Sequence, residues 1–181
     1  TLPGTHRGLV YAALAASAAA YFLHAPFDVI LAGLAAYKIA KGRFEVVPLP
    51  AGKGVVINDC NSTNPASLRG ALLAFHSMSE GTRKIAVLGE MEHLGERSVF
   101  WHRQIGRDLM QARSIQHLVL VGSMTREVAK TAPATMRITH VDTWQEAEAA
   151  LKPLLLATDN AVLVKGTATF SPLISHLLAG E

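Results

Sequence analysis

Short apolar runs alternate along most of the chain with stretches of helical period. Phe44 to Val47, Val55 to Ile57, Ile85 to Leu88, His117 to Val121, Met136 to Val141 and Ala161 to Val164 read as strands. Several of these runs are unbroken rather than alternating, which suits parallel strands covered on both faces. Between them the pattern predicts helices from Pro65 to about Ser79, Arg97 to Arg113, Thr125 to Thr131, Thr143 to Leu151, and onward from Ser171-Pro172. Leu68, Ala71, Leu72, Leu73 and Phe75 give the first an apolar side, and Val99, Phe100, Ile105, Leu109 and Met110 are the apolar residues of the second. Pro65 suits a first helical turn, where its missing N–H costs nothing. Pro48 to Gly54 and Glu80-Gly81-Thr82 are turns. Strands alternating with helices imply an α/β fold with a mainly parallel sheet and helices on both faces, three layers deep.

Right-handed crossovers place every strand-to-helix loop of such a sheet on one edge, where ligands of open α/β sheets bind. The loop from Asn58, the loop from Glu90, Gly122-Ser123 and Lys165-Gly166-Thr167 would share that edge. At the centre stands Ile85 to Gly95. Gly89 would let the chain turn sharply as the strand ends, presenting Glu90, Met91, Glu92 and His93.

The amino terminus departs from this alternation. Leu9 to Leu23 is almost wholly apolar and rich in alanine, with Thr5 as its candidate N-cap; after Pro26 a second helix is expected from Phe27 to Tyr37. The first run falls short of the ~20 residues a membrane span needs. It lacks the cationic start of a signal peptide, so a buried Ala-rich helix is the expectation. The chain opens without Met, on what reads as the end of a larger unit.

Composition narrows the class. Only 17% of residues are charged, against about 25% in ordinary soluble domains, which implies that part of the surface is normally covered. The net charge of +3 is modest and the basic residues are scattered, which gives no case for a nucleic-acid face. A single cysteine, Cys60, excludes an internal disulfide and fits a reducing, cytoplasmic compartment. It reads as a small packed residue rather than a nucleophile. Glu90, Glu92 and His93 invite a metal reading, but three ligands within four residues rarely converge unaided, and a solvated His93 is the better expectation. His102 is expected to fix the loop by hydrogen bonding.

Five segments in order carry a family resemblance: LPGTH before the Ala-rich helix, KGRFEVV, VVINDCNSTNPASLRGAL, KIAVLGEMEHLGERS with HRQIG, and VLVKGT. Together they resemble the Mur ligases, nearest the branch that joins D-Ala-D-Ala to a UDP-muramyl tripeptide. The resemblance implies that residues 1–40 are the helical tail of a central ATPase domain. Residues 41–181 would be a Rossmann-like carboxy-terminal domain without a GxGxxG fingerprint. It implies an ATP-dependent amide ligase of peptidoglycan precursor synthesis, with ATP and Mg²⁺ bound mainly by the central domain. The phosphate loop GxxxxGK[ST] does not occur in this sequence, so these residues alone should not catalyse.

By the same resemblance, Arg43, Asp59 and His6 approach the nucleotide. Asn61, Asn64, Lys165, Gly166 and Thr167 lie near the incoming substrate, with Asn64-Pro65 mainly structural. No catalytic residue and no metal ligand is assigned within the chain. The bland readings are a solvated hinge Arg43, an Asp59 that caps the following helix or its own turn, and a solvated Lys165. Several positions depart from the family pattern. Arg7-Gly8-Leu9 follows His6 where an asparagine-bearing motif is usual, Asn61 and Ser62 replace Tyr and Asn, Glu90 replaces Asp, and Thr167-Ala168 follow the KG. A divergent ligase with another substrate and a non-catalytic binding or assembly domain therefore remain alternatives. Residues 1–40, apolar and expected to pack on a larger sheet, are a candidate for docking or self-association.

Overall fold

The computed structural model describes residues 7–78 and 83–180 of the 181. Thr5, His6, Ser79 and the turn at Glu80-Gly81-Thr82 lie outside the described residues. The chain divides into two compact units, one ending at Ala40 and one beginning at Lys41.

The first unit is a pair of helices, α1 (Arg7–Phe22) and α2 (Phe27–Ala36), parted at Pro26. Leu9, Ala13 and Ile30 are its buried apolar residues, while Tyr11, Leu14, Phe22, Leu23, Val29 and Leu31 are at least half exposed. Neither helix is long and apolar enough to cross a membrane.

The second unit holds six strands: β1 (Glu45–Pro48), β2 (Gly54–Asp59), β3 (Arg83–Leu88), β4 (Ile115–Val121), β5 (Arg137–Val141) and β6 (Asn160–Lys165). They lie in the order β1-β2-β6-β3-β4-β5. Only the β1–β2 hairpin is antiparallel; the other four pairings are parallel. Helices α3 (Pro65–Ser77), α4 (Ser98–Asp108), α5 (Arg126–Ala129), α6 (Trp144–Leu151) and α7 (Ser171–Ala179) complete the unit. On one face of the sheet Ile57, Ala86, Leu88, Leu118 and Leu163 meet α3, α4 and α5 through Leu72, Phe75, Ile105 and Val128. On the other, Val56, Ile85, Val87, Val119 and Val162 meet α6 and α7 through Ala147, Leu151, Leu173 and Ile174. Successive strand residues thus enter opposite cores, which is why the central strands are apolar without alternation. The expected three-layer, mainly parallel α/β sheet is the fold observed.

Local chemistry sets the helix ends. Asn64 Oδ1 accepts the Ser67 N–H at 2.9 Å while Ser67 Oγ accepts the Asn64 N–H at 3.1 Å, a reciprocal cap with Pro65 in the first turn. Thr143 Oγ1 accepts the Glu146 N–H and starts α6. The far end of α3 uses a device the pattern did not suggest. The Lys84 side chain, 2% exposed, donates from Nζ to the carbonyls of His76 and Met78, each at 2.8 Å. A cation there meets the negative end of the helix dipole and satisfies terminal carbonyls.

The helix expected from Arg97 to Arg113 differs from its reading. It ends at Asp108, followed by one tighter turn over Leu109–Gln111. Its buried stripe is His102, Ile105, Gly106 and Leu109, whereas Val99, Phe100 and Met110 are 40%, 53% and 58% exposed. A histidine occupies the core side, which apolar pattern alone does not assign. Its burial is tolerated because both ring nitrogens are hydrogen-bonded.

Candidate functional site

The carboxyl ends of β2, β6, β3 and β4 lie along one edge, as parallel pairing requires. Asp59 and Lys165 face each other in the β2–β6 register. That pairing sets up the central contact: Lys165 Nζ lies 2.8 Å from Asp59 Oδ2 and donates to the Ser62 carbonyl at 2.7 Å. The Lys165 side chain is 3% exposed and that of Asp59 13%. Lys165 is therefore not the solvated residue that a lone lysine after a strand suggests. Nor does Asp59 cap α3 or its own turn. Its second oxygen, Oδ1, accepts the Phe44 N–H at 3.1 Å, and the cap belongs to Asn64.

Phe44 has φ 56°, a left-handed conformation unusual for a bulky residue. The segment just after Lys41 is pinned in that shape from β2. Glu45 Oε2 accepts from both the Gly42 N–H and the Asn58 side-chain amide, each at 3.1 Å. Arg43, exposed, is held by Asn61: with the amide oxygen toward the guanidinium, it accepts from Nε at 2.7 Å and Nη2 at 3.0 Å. Arg43, Asp59, Asn61 and Lys165 thus form one connected group, with Asn64 at its margin as the α3 cap. His6 lies outside the described residues.

Cys60 packs behind this group, 4% exposed, its Sγ donating to the Val164 carbonyl at 3.5 Å. Burial, and then the Asp59 charge, push its thiol up to about 12. A thiol so far from ionising is a packed residue, as expected.

A crevice of about 290 Å³ opens farther along the same edge, lined among others by Glu90, Glu92, Asp142, Trp144, Thr167 and Phe170. It draws on the loops after β3, β4, β5 and β6. Glu90 Oε1 bridges two of them, accepting from Ser123 Oγ at 3.2 Å and the Met124 N–H at 2.7 Å. The bridge lies so close to Gly122, φ 97°, that a Cβ there would stand 2.6 Å from Glu90 Oε1. Gly89 serves differently from expectation. Its φ is not positive; a side chain there would collide with the Phe170 ring at 2.6 Å, and one at Gly166 would meet the same ring at 2.5 Å. Thr167 Oγ1 shares a hydrogen bond of 2.8 Å with Thr169 Oγ1.

Behind the Glu90 loop, His102 is 1% exposed. Its Nε2 accepts the Met91 N–H at 3.1 Å, and Nδ1 donates to the Ser98 carbonyl at 2.8 Å. It fixes the loop by hydrogen bonding, as the sequence suggested. His93, in contrast, points into solvent with its ring 4.0 Å from Glu92. Among the described residues no three His, Cys, Asp or Glu side chains gather into a metal-binding group. Asp142, Trp144 and Phe170 were not read as site residues. They come from the loop after β5, the start of α6 and the turn after β6, and no local motif marks them.

A family model described as "Mur ligase, glutamate ligase domain" matches residues 42–168. The chain belongs to the Mur ligase family. Proteins named UDP-N-acetylmuramoyl-tripeptide–D-alanyl-D-alanine ligase are among its relatives. That of Escherichia coli K12 is 32% identical over 128 residues, covering 71% of this chain and 27% of its own. That of Mycobacterium tuberculosis H37Rv is 38% identical over 117 residues, covering 61% and 22%. A crystal structure of MurF from Acinetobacter baumannii superposes with a TM-score of 0.86 at 25% identity, covering 98% of this chain and 39% of that one. MurF from Thermotoga maritima in complex with ADP shares the fold, with a TM-score of 0.67 at 19% identity. The chain spans about a quarter of the length of these curated Mur ligases. Every residue of the connected group and of the Glu90 bridge falls within the matched span.

Proposed function

We propose that this chain is the carboxy-terminal part of a cytoplasmic, ATP-dependent Mur ligase that joins D-Ala-D-Ala to a UDP-muramyl tripeptide. In this reading residues 1–40 are the helical tail of the central ATPase domain, and 41–181 form the carboxy-terminal wall of a site that closes between domains. The observation that carries it is the convergence of the Arg43–Asn61 and Asp59–Lys165 pairs, tied through the Phe44 and Ser62 main chain, at the carboxyl edge of the sheet in a Mur ligase fold.

ATP, held with Mg²⁺ mainly by the central domain of such enzymes, supplies the phosphoryl group that activates the peptide carboxylate. The residues of this chain fit the nucleotide role in part. Two of the three guanidinium nitrogens of Arg43 are fixed by Asn61, which presets an exposed, permanently charged fork suited to phosphate. Asp59 fits a ribose contact less simply, because both carboxylate oxygens already have partners. Its firmer role is to hold Phe44, and with it Arg43, at the start of the domain. His6 is retained as a nucleotide contact on the resemblance alone.

The acceptor dipeptide enters with an ammonium group and must lose a proton before its amine attacks the activated acyl carbon. Glu92 and Asp142 at the crevice supply negative charge to draw that ammonium in, and Trp144 adds an aromatic face. Thr167 lines the crevice, following Lys165 and Gly166 at the end of β6. Lys165 orders the Ser62 carbonyl rather than reaching outward. Asn64 contributes by capping α3 beneath the same loop. The departures at Asn61 and at Thr167-Ala168 favour one second reading, a Mur ligase using a different amine.

The test is phosphate release by the full-length protein carrying this chain, with ATP and UDP-muramyl tripeptide. Release that depends on D-Ala-D-Ala is expected; release with another amine alone would support the second reading. Arg43→Ala should lower kcat roughly a hundredfold, the size of losing one charge-stabilising donor. Unchanged kinetics would remove Arg43 from the nucleotide site.

A further inference from the structure

We propose that His102 is a positioning residue for the acceptor crevice: its neutral ring holds the Met91 N–H so that Glu90 fixes the loop after β4 as the crevice wall. The inference rests on the reading of that crevice as the acceptor site.

The chain of contacts is continuous. A neutral imidazole has one N–H and one bare nitrogen. Because Nδ1 lies 2.8 Å from the Ser98 carbonyl, an acceptor, it must carry the proton. Nε2 is then the bare nitrogen, and it takes the Met91 N–H at 3.1 Å. This defines a single tautomer. Met91 is anchored twice, by that bond and by its side chain, 3% exposed in the core under α3 and α4. With residue 91 anchored at both main chain and side chain, the preceding Glu90 is aimed across the crevice. Its Oε1 gathers Ser123 Oγ and the Met124 N–H, tying the β3 loop to the β4 loop. From the other side His140 Nε2 donates to the Gly122 carbonyl at 2.9 Å, and Thr125 Oγ1 donates to the same oxygen at 2.7 Å. Gly122 is therefore clamped between Glu90 and His140, and the wall has little freedom once Met91 is fixed. His102 touches neither the crevice nor any ligand in it, so it acts through Met91 and Glu90. A small displacement transmitted along such a path is enough to impair reaction geometry.

Two substitutions separate the ring's two bonds. Asn at position 102 occupies the Nδ1 side of the ring and can keep the Ser98 contact, but falls short of Met91. Gln reaches the Nε2 position and can offer an oxygen to the Met91 N–H. The first measurement uses the 181-residue chain labelled with ¹⁵N. A scalar coupling across the hydrogen bond between the Met91 nitrogen and His102 Nε2 is expected, with the proton on Nδ1. His102→Asn should shift the Met124 amide resonance, and His102→Gln should restore it. A proton on Nε2, or a Met124 resonance indifferent to both substitutions, would overturn the proposal.

The second measurement is kinetic, on the full-length protein. His102→Asn should raise KM for the acceptor dipeptide about tenfold while leaving KM for ATP unchanged, and His102→Gln should stay near wild type. Equal loss in both variants, or a rise in both KM values, would reduce His102 to a packing residue. If the wild-type protein shows no dipeptide-dependent turnover, the functional reading fails by itself, and the resonance measurement still decides the positioning role.

Discussion

Two lysines lie buried at opposite ends of the sheet, and they differ in what holds them. Lys84, at the start of β3, is 2% exposed and donates to the His76 and Met78 carbonyls at the end of α3. Lys165, at the end of β6, is 3% exposed and combines the Ser62 carbonyl with the Asp59 carboxylate. Both are cations withdrawn from water, which is costly unless they are paired and hydrogen-bonded. The first donates to backbone carbonyls at a helix end, so removing it takes a donor from those carbonyls. The second is matched by a full charge, so removing it leaves a mostly buried carboxylate. Burial alone does not tell the two lysines apart; the Asp59 carboxylate beside Lys165 does.

The largest expected effect tests that distinction directly. Lys165→Met should lower unfolding free energy by about 3 kcal/mol, because an unpaired buried charge is left behind. Adding Asp59→Asn should recover a substantial part of the loss. Urea unfolding of the single and double variants measures this, and additive losses would mean the pair is not coupled. Lys84→Met should cost less, about 2 kcal/mol for charge-assisted hydrogen bonds. Steady-state kinetics of the full-length protein should be unchanged by it. Loss of turnover at constant stability would erase the contrast between the two ends.

The smallest effect concerns Cys60, which packs beside Asp59. With its thiol pushed up to about 12 from an ordinary 9.0, the native protein keeps it protonated where the unfolded chain ionises it. Its contribution to stability is therefore fully present below about pH 9 and is lost as pH rises toward 12. Comparing Cys60→Ala with the parent over that range isolates the term. Alkylation of the folded protein at pH 8 should be negligible and should follow unfolding. Rapid labelling of the native state would show the thiol to be accessible.

Much of the architecture was legible from local pattern. Apolar runs located the four inner strands β2, β6, β3 and β4 to within a few residues, because strands buried on both faces need apolar side chains at nearly every position. Pro65 and Thr143 marked helix starts, because first-turn and capping preferences are local. Alternation of strand and helix was enough to place the Asn58, Glu90, Gly122 and Lys165 loops on one edge. Arg43, Asp59, Asn61 and Lys165 could be proposed as site residues, but not which of them pair with which.

What the tertiary structure decided is the set of contacts made across long stretches of chain. The pairing of Asp59 with Lys165 depends on β6 inserting between β2 and β3, and no spacing announces which strands become neighbours. His102 was known to sit on a helix, yet its turn toward the core required Met91 and Ser98 as hydrogen-bond partners. Gly89 looked like a turn residue, and its true constraint is a phenylalanine arriving from the loop after β6. In each case the sequence by itself determined the element and the residue type, since both answer to local sterics and hydrophobic period. The fold decided the partner, because burial stabilises a polar group only when some distant segment supplies the matching donor, acceptor or charge.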